Sequence, residues 1–237
     1  MVSVQFKDLG NIEYGDAWDM QEQIMKQGLD IKAERISAPE QAQGKEIGQH
    51  LFICEHPHVY TLGKSGALEN LLINNQHMQS LGVTFYKTNR GGDITYHGPG
   101  QMVAYPVLDL EAFKTDLGWY MRSLEEVVIR TIGEYGISGA RLEGATGVWI
   151  DADNPAKARK ICAMGVRCSR WITIHGLALN MNTDLNFFNF IVPCGITDKG
   201  VTSMQKELGA AVDEVAVKQT FLKHFEEIFG AQLQNHN

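Results

Sequence analysis

Apolar residues recur at helical spacing in three stretches of the chain. After Asp16, the residues Ala17, Met20 and Ile24 share one face, which predicts a helix capped by Asp16 and ending at Gly28. After Thr115, the residues Leu117, Tyr120, Leu124, Val127, Val128, Ile132 and Tyr135 mark a longer helix that Gly136 stops. Asp213 opens a third, with Val217, Phe221, Phe225 and Ile228 on its buried side. Between them the pattern shortens to strand-like runs at residues 51–54, 147–150, 160–167 and 171–180. In the last run Trp171, Thr173, His175, Leu177 and Leu179 fall on one face. Helices mixed with closely spaced strands predict an α/β (α+β) fold, a mixed β-sheet with flanking helices. The order lacks the strand-helix alternation of a doubly wound fold. With no repeat, low-complexity tract or linker, the 237 residues read as one domain, 1–237.

Charge narrows the partners. Lysine and arginine total 21 against 28 acidic residues, and the net charge of -7 argues against nucleic acid. No run of roughly 18 apolar residues is present to span a membrane, and the first ten residues lack the apolar core of a signal peptide. Cys54, Cys162, Cys168 and Cys194 form no CxxC pair and no zinc-ligand spacing. A cytoplasmic protein with reduced thiols is expected.

Four segments carry candidate chemistry. The stretch Arg90-Gly91-Gly92-Asp93-Ile94-Thr95-Tyr96-His97-Gly98-Pro99-Gly100-Gln101 holds four glycines and a proline, a backbone able to approach a ligand closely. A tight turn does not need Arg, Tyr and His interleaved, so a substrate-cradling loop between two strands is the better reading. No GK[ST] follows the glycines, which excludes a P-loop. Lys160 opens an apolar strand, a position where most lysines are solvated. Cys194 sits between Pro193 and Gly195 in a turn, which suits an exposed nucleophile as well as a core thiol. His175, followed by Gly176, is equally compatible with a structural and an active-site role. His56 and His58 lack the partners that a metal site needs, so no metal is expected.

Taken in order, residues 55–63, the 90–101 loop, Lys160-Ile161-Cys162, residues 175–180 and Pro193-Cys194-Gly195 resemble the lipoyl(octanoyl) transferases of lipoate biosynthesis. The resemblance spans residues 50–200 and implies a fold similar to the catalytic domain of biotin and lipoate protein ligases. It implies transfer of an octanoyl group from acyl carrier protein to a lysine of lipoyl domains, those of 2-oxoacid dehydrogenase complexes and of the glycine cleavage H protein. It further implies Cys194 as the acyl-accepting nucleophile, Lys160 as its acid/base partner, and neither ATP nor metal as cofactor. Arg90 to His97, with Ala163, Met164 and Gly165 and with Gly176, Leu177 and Ala178, would line the substrate. Two departures stand out: residues 151–159 are longer than expected, and Asp93 replaces an uncharged polar residue. The alternatives are an ATP-dependent lipoate or biotin ligase on a similar fold, which needs no cysteine nucleophile, and an octanoyl amidotransferase. The Pro193-Cys194-Gly195 turn and the 34-residue spacing from Lys160 to Cys194 favour the transferase over the ligase. Lys157, Arg159, Arg167 and Arg170, close to Lys160 in sequence, form either a docking patch for an acidic partner or a scattered solvated set.

Overall fold

Side chains alternate across a strand, so the two faces of a sheet can be read from which residues each layer of helix covers. The computed structural model describes residues 1–192 and 199–235. The strands are β1 (Val2–Asn11), β2 (His50–Glu55), β3 (Val59–Leu62), β4 (Thr84–Lys87), β5 (Ile94–His97), β6 (Gln101–Val107), β7 (Gly139–Leu142), β8 (Ala145–Ile150), β9 (Arg159–Ser169), β10 (Ile172–Asn180), β11 (Gly200–Val201) and β12 (Ala231–Asn235). The helices are α1 (Tyr14–Ser37), α2 (Pro39–Ala42), α3 (Asn75–Ser80), α4 (Leu117–Gly133), α5 (Met204–Leu208) and α6 (Glu214–Phe229).

The main sheet runs β12-β1-β2-β6-β10-β9-β8-β7, with β11 added beside the start of β9. The ladders of β1 with β12 and β2 are parallel, and those from β2 to β7 are antiparallel. The expected mixed sheet is therefore present. A second sheet, β4-β3-β5, meets the start of α1, where Tyr86 and His97 pack on Tyr14. Among the described residues no helix is long and apolar enough to cross a membrane.

Two apolar layers clamp the main sheet. On one face Tyr120, Leu124, Val128 and Ile132 of α4 and Val217, Phe221 and Phe225 of α6 cover Leu177 and Leu179 of β10 and Ile161 and Cys162 of β9. On the other, Ala17 and Met25 of α1 cover Val103, Tyr105, Ile174 and Ala178. The third helix matches its expected face, with Ile228 only partly covered and Phe229 buried instead.

Helix α1 corrects the expected boundaries. It starts at Tyr14 and runs through Gly28 to Ser37. Gly28 is an interior contact rather than a stop, because a Cβ there would lie 2.6 Å from Cδ1 of Ile172. The missing methyl lets the helix lie close on β10. Asp116, not Thr115, caps α4, accepting from the Trp119 N–H at 2.9 Å. A buried ion pair then fixes the far half of α1: Lys32 Nζ donates to Asp109 at 2.7 Å and to the Arg170 carbonyl at 2.8 Å.

Glycine also decides how closely β10 and β6 approach. A Cβ on Gly176 would fall 2.1 Å from the Ala104 carbonyl oxygen, a backbone atom that cannot swing aside. Gly176→Ala is therefore expected to lower the unfolding free energy by about 3 kcal/mol. Gly133→Ala, at the end of α4 with nothing within 4 Å, should be neutral or stabilising by about 0.5 kcal/mol. Urea unfolding of the two variants beside the parent protein measures both.

Candidate active site

One register shift between β8 and β9 and one left-handed residue on β10 shape one face of the β9–β10 pair. Direct cross-strand partners share a face, and Ala163–Ala178 and Gly165–Gly176 both lie on the α1 side. Regular alternation along β9 would send Lys160 to the opposite face, with Cys162. It does not, because the β8 pairing shifts between Val148–Cys162 and Trp149–Lys160. The extra residue, Ile161, joins Cys162 in the core, and Lys160 turns to the same side as Ala163 and Gly165.

The second irregularity is on β10. His175 pairs with Val166, whose side chain packs on the α4–α6 layer. Its φ of 61° is left-handed, an uncommon conformation for a residue with a Cβ. The side chain is thereby carried to the α1 side, against Trp18, with Nε2 2.8 Å from Asn89 Oδ1. The expectation of one shared face for Trp171, Thr173, His175, Leu177 and Leu179 fails at His175 for this reason, and Trp171, with its own left-handed φ of 69°, precedes β10.

Between the irregularities lies a narrow cleft. Ala163, Gly165, Gly176 and Ala178 make a floor with almost no side chain, joined by Met164 and Leu177. Arg90, Gly92, Asp93, Ile94, Thr95 and His97 form the opposite wall, and Lys160, Asn180, Phe188 and Val201 also border the space. Floor and wall touch where a Cβ on Gly165 would lie 2.6 Å from the Gly91 carbonyl oxygen. Tyr14, Gln101, Val103, Tyr105 and His175 complete the lining.

Polar groups behind the cleft are paired and mostly neutral. Arg90 is a pin for its own loop: it donates to the Thr61 carbonyl at 2.7 Å, to Thr61 Oγ1 at 2.9 Å and to the Gly91 carbonyl at 3.0 Å. Gln101 Nε2 donates to the Tyr96 carbonyl and to Asn180 Oδ1, so its Oε1 accepts from His97 Nδ1 at 2.8 Å. Burial pushes the His97 imidazole down to about 3, with neighbouring His56 adding to the effect. Burial, reinforced by the Arg90 guanidinium, likewise takes His175 down to about 3. Asn89 donates Nδ2 to Glu22, which leaves Oδ1 to accept from His175 Nε2 and places the imidazole proton on that nitrogen. Burial pushes the Tyr14 hydroxyl up to about 12.

The sequence matches the lipoyl protein ligase A/B catalytic domain over residues 13–226. It is 54% identical to the octanoyltransferase of Flavobacterium psychrophilum over 96% of this chain and 97% of that one. The chain belongs to the octanoyltransferase family. It is an acyltransferase by that membership. Its fold is shared with a chain of the Thermoplasma acidophilum bi-partite lipoate protein ligase and E2 lipoyl domain structure (TM-score 0.69, 15% identity, covering 99% and 86% of the two chains). It is shared more loosely with biotin protein ligase from Aquifex aeolicus (TM-score 0.50, 13% identity, 97% and 70% covered).

Against the residues expected to line substrate, the cleft brings together Lys160, all three of Ala163, Met164 and Gly165, all three of Gly176, Leu177 and Ala178, and six of the 90–97 loop. Gly91 and Tyr96 are not among its lining. Gly91 donates its N–H to the Val166 carbonyl, holding the loop to β9. Tyr96 points away from the cleft, its ring 5.0 Å from Phe187 and its hydroxyl 2.7 Å from His58 Nδ1. The segment 90–101 is also only partly a loop, since β5 runs through it. Asp93 accepts from Asn70 Nδ2 at 2.6 Å, tying the wall to the 3-10 turn at Leu68–Asn70. Cys194 lies outside the described residues.

The other thiols and histidines have structural partners. Cys54 and Cys162 are buried, and burial raises both thiols. His56 is held by the Ile12 carbonyl and the Tyr105 hydroxyl, each at 2.7 Å. Among the described residues no group of three His, Cys, Asp or Glu side chains could hold a metal ion. Arg159 is paired with Asp151 and Glu207, and Arg167 with Glu22 at 2.7 Å, so neither is a spare cation for a docking patch. Tyr14, Tyr105, Phe188 and Val201 were not foreseen. They reach the cleft from distant parts of the chain, without a local motif to mark them.

Two buried neutral histidines make stability depend on pH. Unfolding returns each ring to an ordinary value near 6.5, so the unfolded chain binds more protons from there down to about 3. Stability should therefore fall as pH drops through that window. The urea midpoint of the parent should decline from pH 6.5 to pH 4 more steeply than that of His175→Gln.

Proposed function

We propose that this chain moves an octanoyl group from acyl carrier protein to the ε-amine of a lipoyl-domain lysine, through a thioester on Cys194 with Lys160 as acid/base partner. The observation that carries the reading is the bulge that turns Lys160 out of the core and onto the wall of an apolar cleft. The pairing of Lys160 with Cys194 is supported by β11: Val201 pairs with Lys160, and Thr202 N–H donates to the Lys160 carbonyl at 3.0 Å. Cys194 precedes Val201 by seven residues. The nearly bare floor of Ala163, Gly165, Gly176 and Ala178 suits an extended alkyl chain, which needs contact and no hydrogen bonds.

In the first half-reaction the Cys194 thiol gives its proton to Lys160, and the resulting thiolate, paired with the Lys160 ammonium, attacks the donor's thioester carbonyl. A new C–S bond forms, the donor's C–S bond breaks, and Lys160 returns the proton to the departing thiolate. In the second, the acceptor amine attacks the acyl-enzyme. A C–N bond forms, the C–Sγ bond breaks, and the amine's proton passes by way of Lys160 to Cys194. One thioester replaces another, and an amide then replaces a thioester, so no nucleotide enters either step. The acceptors are the lipoyl domains of 2-oxoacid dehydrogenase complexes and the glycine cleavage H protein. The reactions belong in the cytoplasm, where the thiol stays reduced.

Incubated with octanoyl-acyl carrier protein and an apo lipoyl domain without ATP, the protein should add one octanoyl increment to the domain's intact mass. Cys194→Ala should abolish the increment. Lys160→Ala should slow it by about 100- to 10,000-fold. An increment that appears only with free octanoate and ATP would make the chain a ligase instead.

A further inference from the structure

Lys160 carries a long flexible side chain at the cleft, and among the described residues no carboxylate lies within ion-pair distance of it. Its ammonium has another neighbour. Nζ lies 4.7 Å from the ring centroid of Trp149, its direct cross-strand partner on β8. The indole face is the best of the aromatic surfaces for a cation, and the attraction strengthens away from water. Trp149 is 2% exposed, and its own Nε1–H is satisfied by the Ala145 carbonyl at 3.0 Å, which fixes the ring.

The surroundings are built to keep that contact. Gly147 has φ 117°, and a Cβ there would lie 2.4 Å from the Cys162 carbonyl oxygen and 3.6 Å from Lys160 Cε, so its bare backbone leaves room for the bulge and the lysine stem. The Gly147 N–H donates to Glu125 Oε1 at 3.0 Å. Glu125 on α4 is fully buried, and Arg122 at 2.6 Å and Arg141 at 3.1 Å neutralise its other oxygen. A charged residue in the core thus anchors the strand that carries Trp149. Arg159, the cation beside Lys160 on its own strand, is occupied by Asp151 and Glu207.

We propose that Trp149 is a positioning residue for the transfer: its indole face holds the Lys160 ammonium and sets where Nζ sits at the mouth of the cleft. The idea rests on Lys160 and Cys194 acting as a pair. The ring acts through the lysine, restricting a side chain that would otherwise sample many rotamers. The device explains why an aromatic residue and a buried carboxylate are set beneath a bulge that alternation alone would not produce.

The test is the full-length protein carrying mono- to tetrafluoro-tryptophan at position 149 by site-specific incorporation. Fluorine withdraws charge from the ring face and leaves its shape, so the fold is retained. The logarithm of the rate of thioester formation on Cys194 should fall steadily along the series, by about 2- to 30-fold at four fluorines. The same series at Trp171, which is 38% exposed and away from the cleft, should leave the rate unchanged. In a 13C–1H spectrum of the parent, the Lys160 Cε-bound protons, identified by their loss in Lys160→Arg, should lie upfield of those of other lysines. Trp149→Leu should return them to the common position. A flat rate along the series overturns the proposal even where the resonances are shifted, and unshifted resonances overturn it as well. Absence of any Cys194 adduct in the parent would instead overturn the paired mechanism, and the Lys160 resonances would still decide whether the indole holds the ammonium.

Discussion

Side-chain alternation in β-strands is the constraint on which the site depends, because the chain has to break it twice. A regular β9 would put Lys160 among the leucines and phenylalanines under α4 and α6, where an ammonium is costly unless paired. A regular β10 would put His175 there too. One extra residue at Ile161 and one left-handed φ at His175 turn both side chains to the opposite face. The distortions are held from outside: Glu125 grips Gly147 beside the first, and the Gln21 side chain accepts the His175 N–H at 2.8 Å at the second. Strain concentrated where reactive side chains emerge, and supported by surrounding hydrogen bonds, is the expected signature of a functional site.

Behind the cleft the protein keeps its histidines and tyrosines uncharged. His97, His175, Tyr14 and Tyr105 all have their ionisation opposed first by burial. Their polar atoms are matched to neighbours instead, in chains such as Asn180–Gln101–His97 and Glu22–Asn89–His175. Such matched chains fix the shape of the cleft, and the charge of Glu22 is met by Arg167. The cations near the site are handled differently: Lys32 and Arg167 are held by carboxylates, Arg90 by carbonyls, and Lys160 lies over an aromatic face.

Much of this was readable from the residues. The apolar periods of α4 and α6 are long and capped, so both helices were visible, with errors of a residue or two at their ends. The glycines at 91, 92 and 176 signalled close backbone approach, and a Cβ on Gly91 would crowd the Val166 carbonyl oxygen while one on Gly176 would clash with that of Ala104. Other features had no local signal. Gly28 looked like a helix stop because its contact, Ile172, lies far along the chain. The two breaks in alternation were invisible, since a bulge belongs to a pair of strands and not to one sequence. Trp149 and Glu125 escaped notice for the same reason: each matters only through a neighbour brought close by folding.

The most direct test of the central claim is a crystal structure of the protein bound to a non-hydrolysable octanoyl thioester analogue. The account predicts the alkyl chain lying along Ala163, Gly165, Gly176 and Ala178 beneath the 90–97 wall, with the thioester end facing Lys160. An octanoyl chain seated elsewhere, or Lys160 turned away from it into the α4–α6 layer, would contradict it.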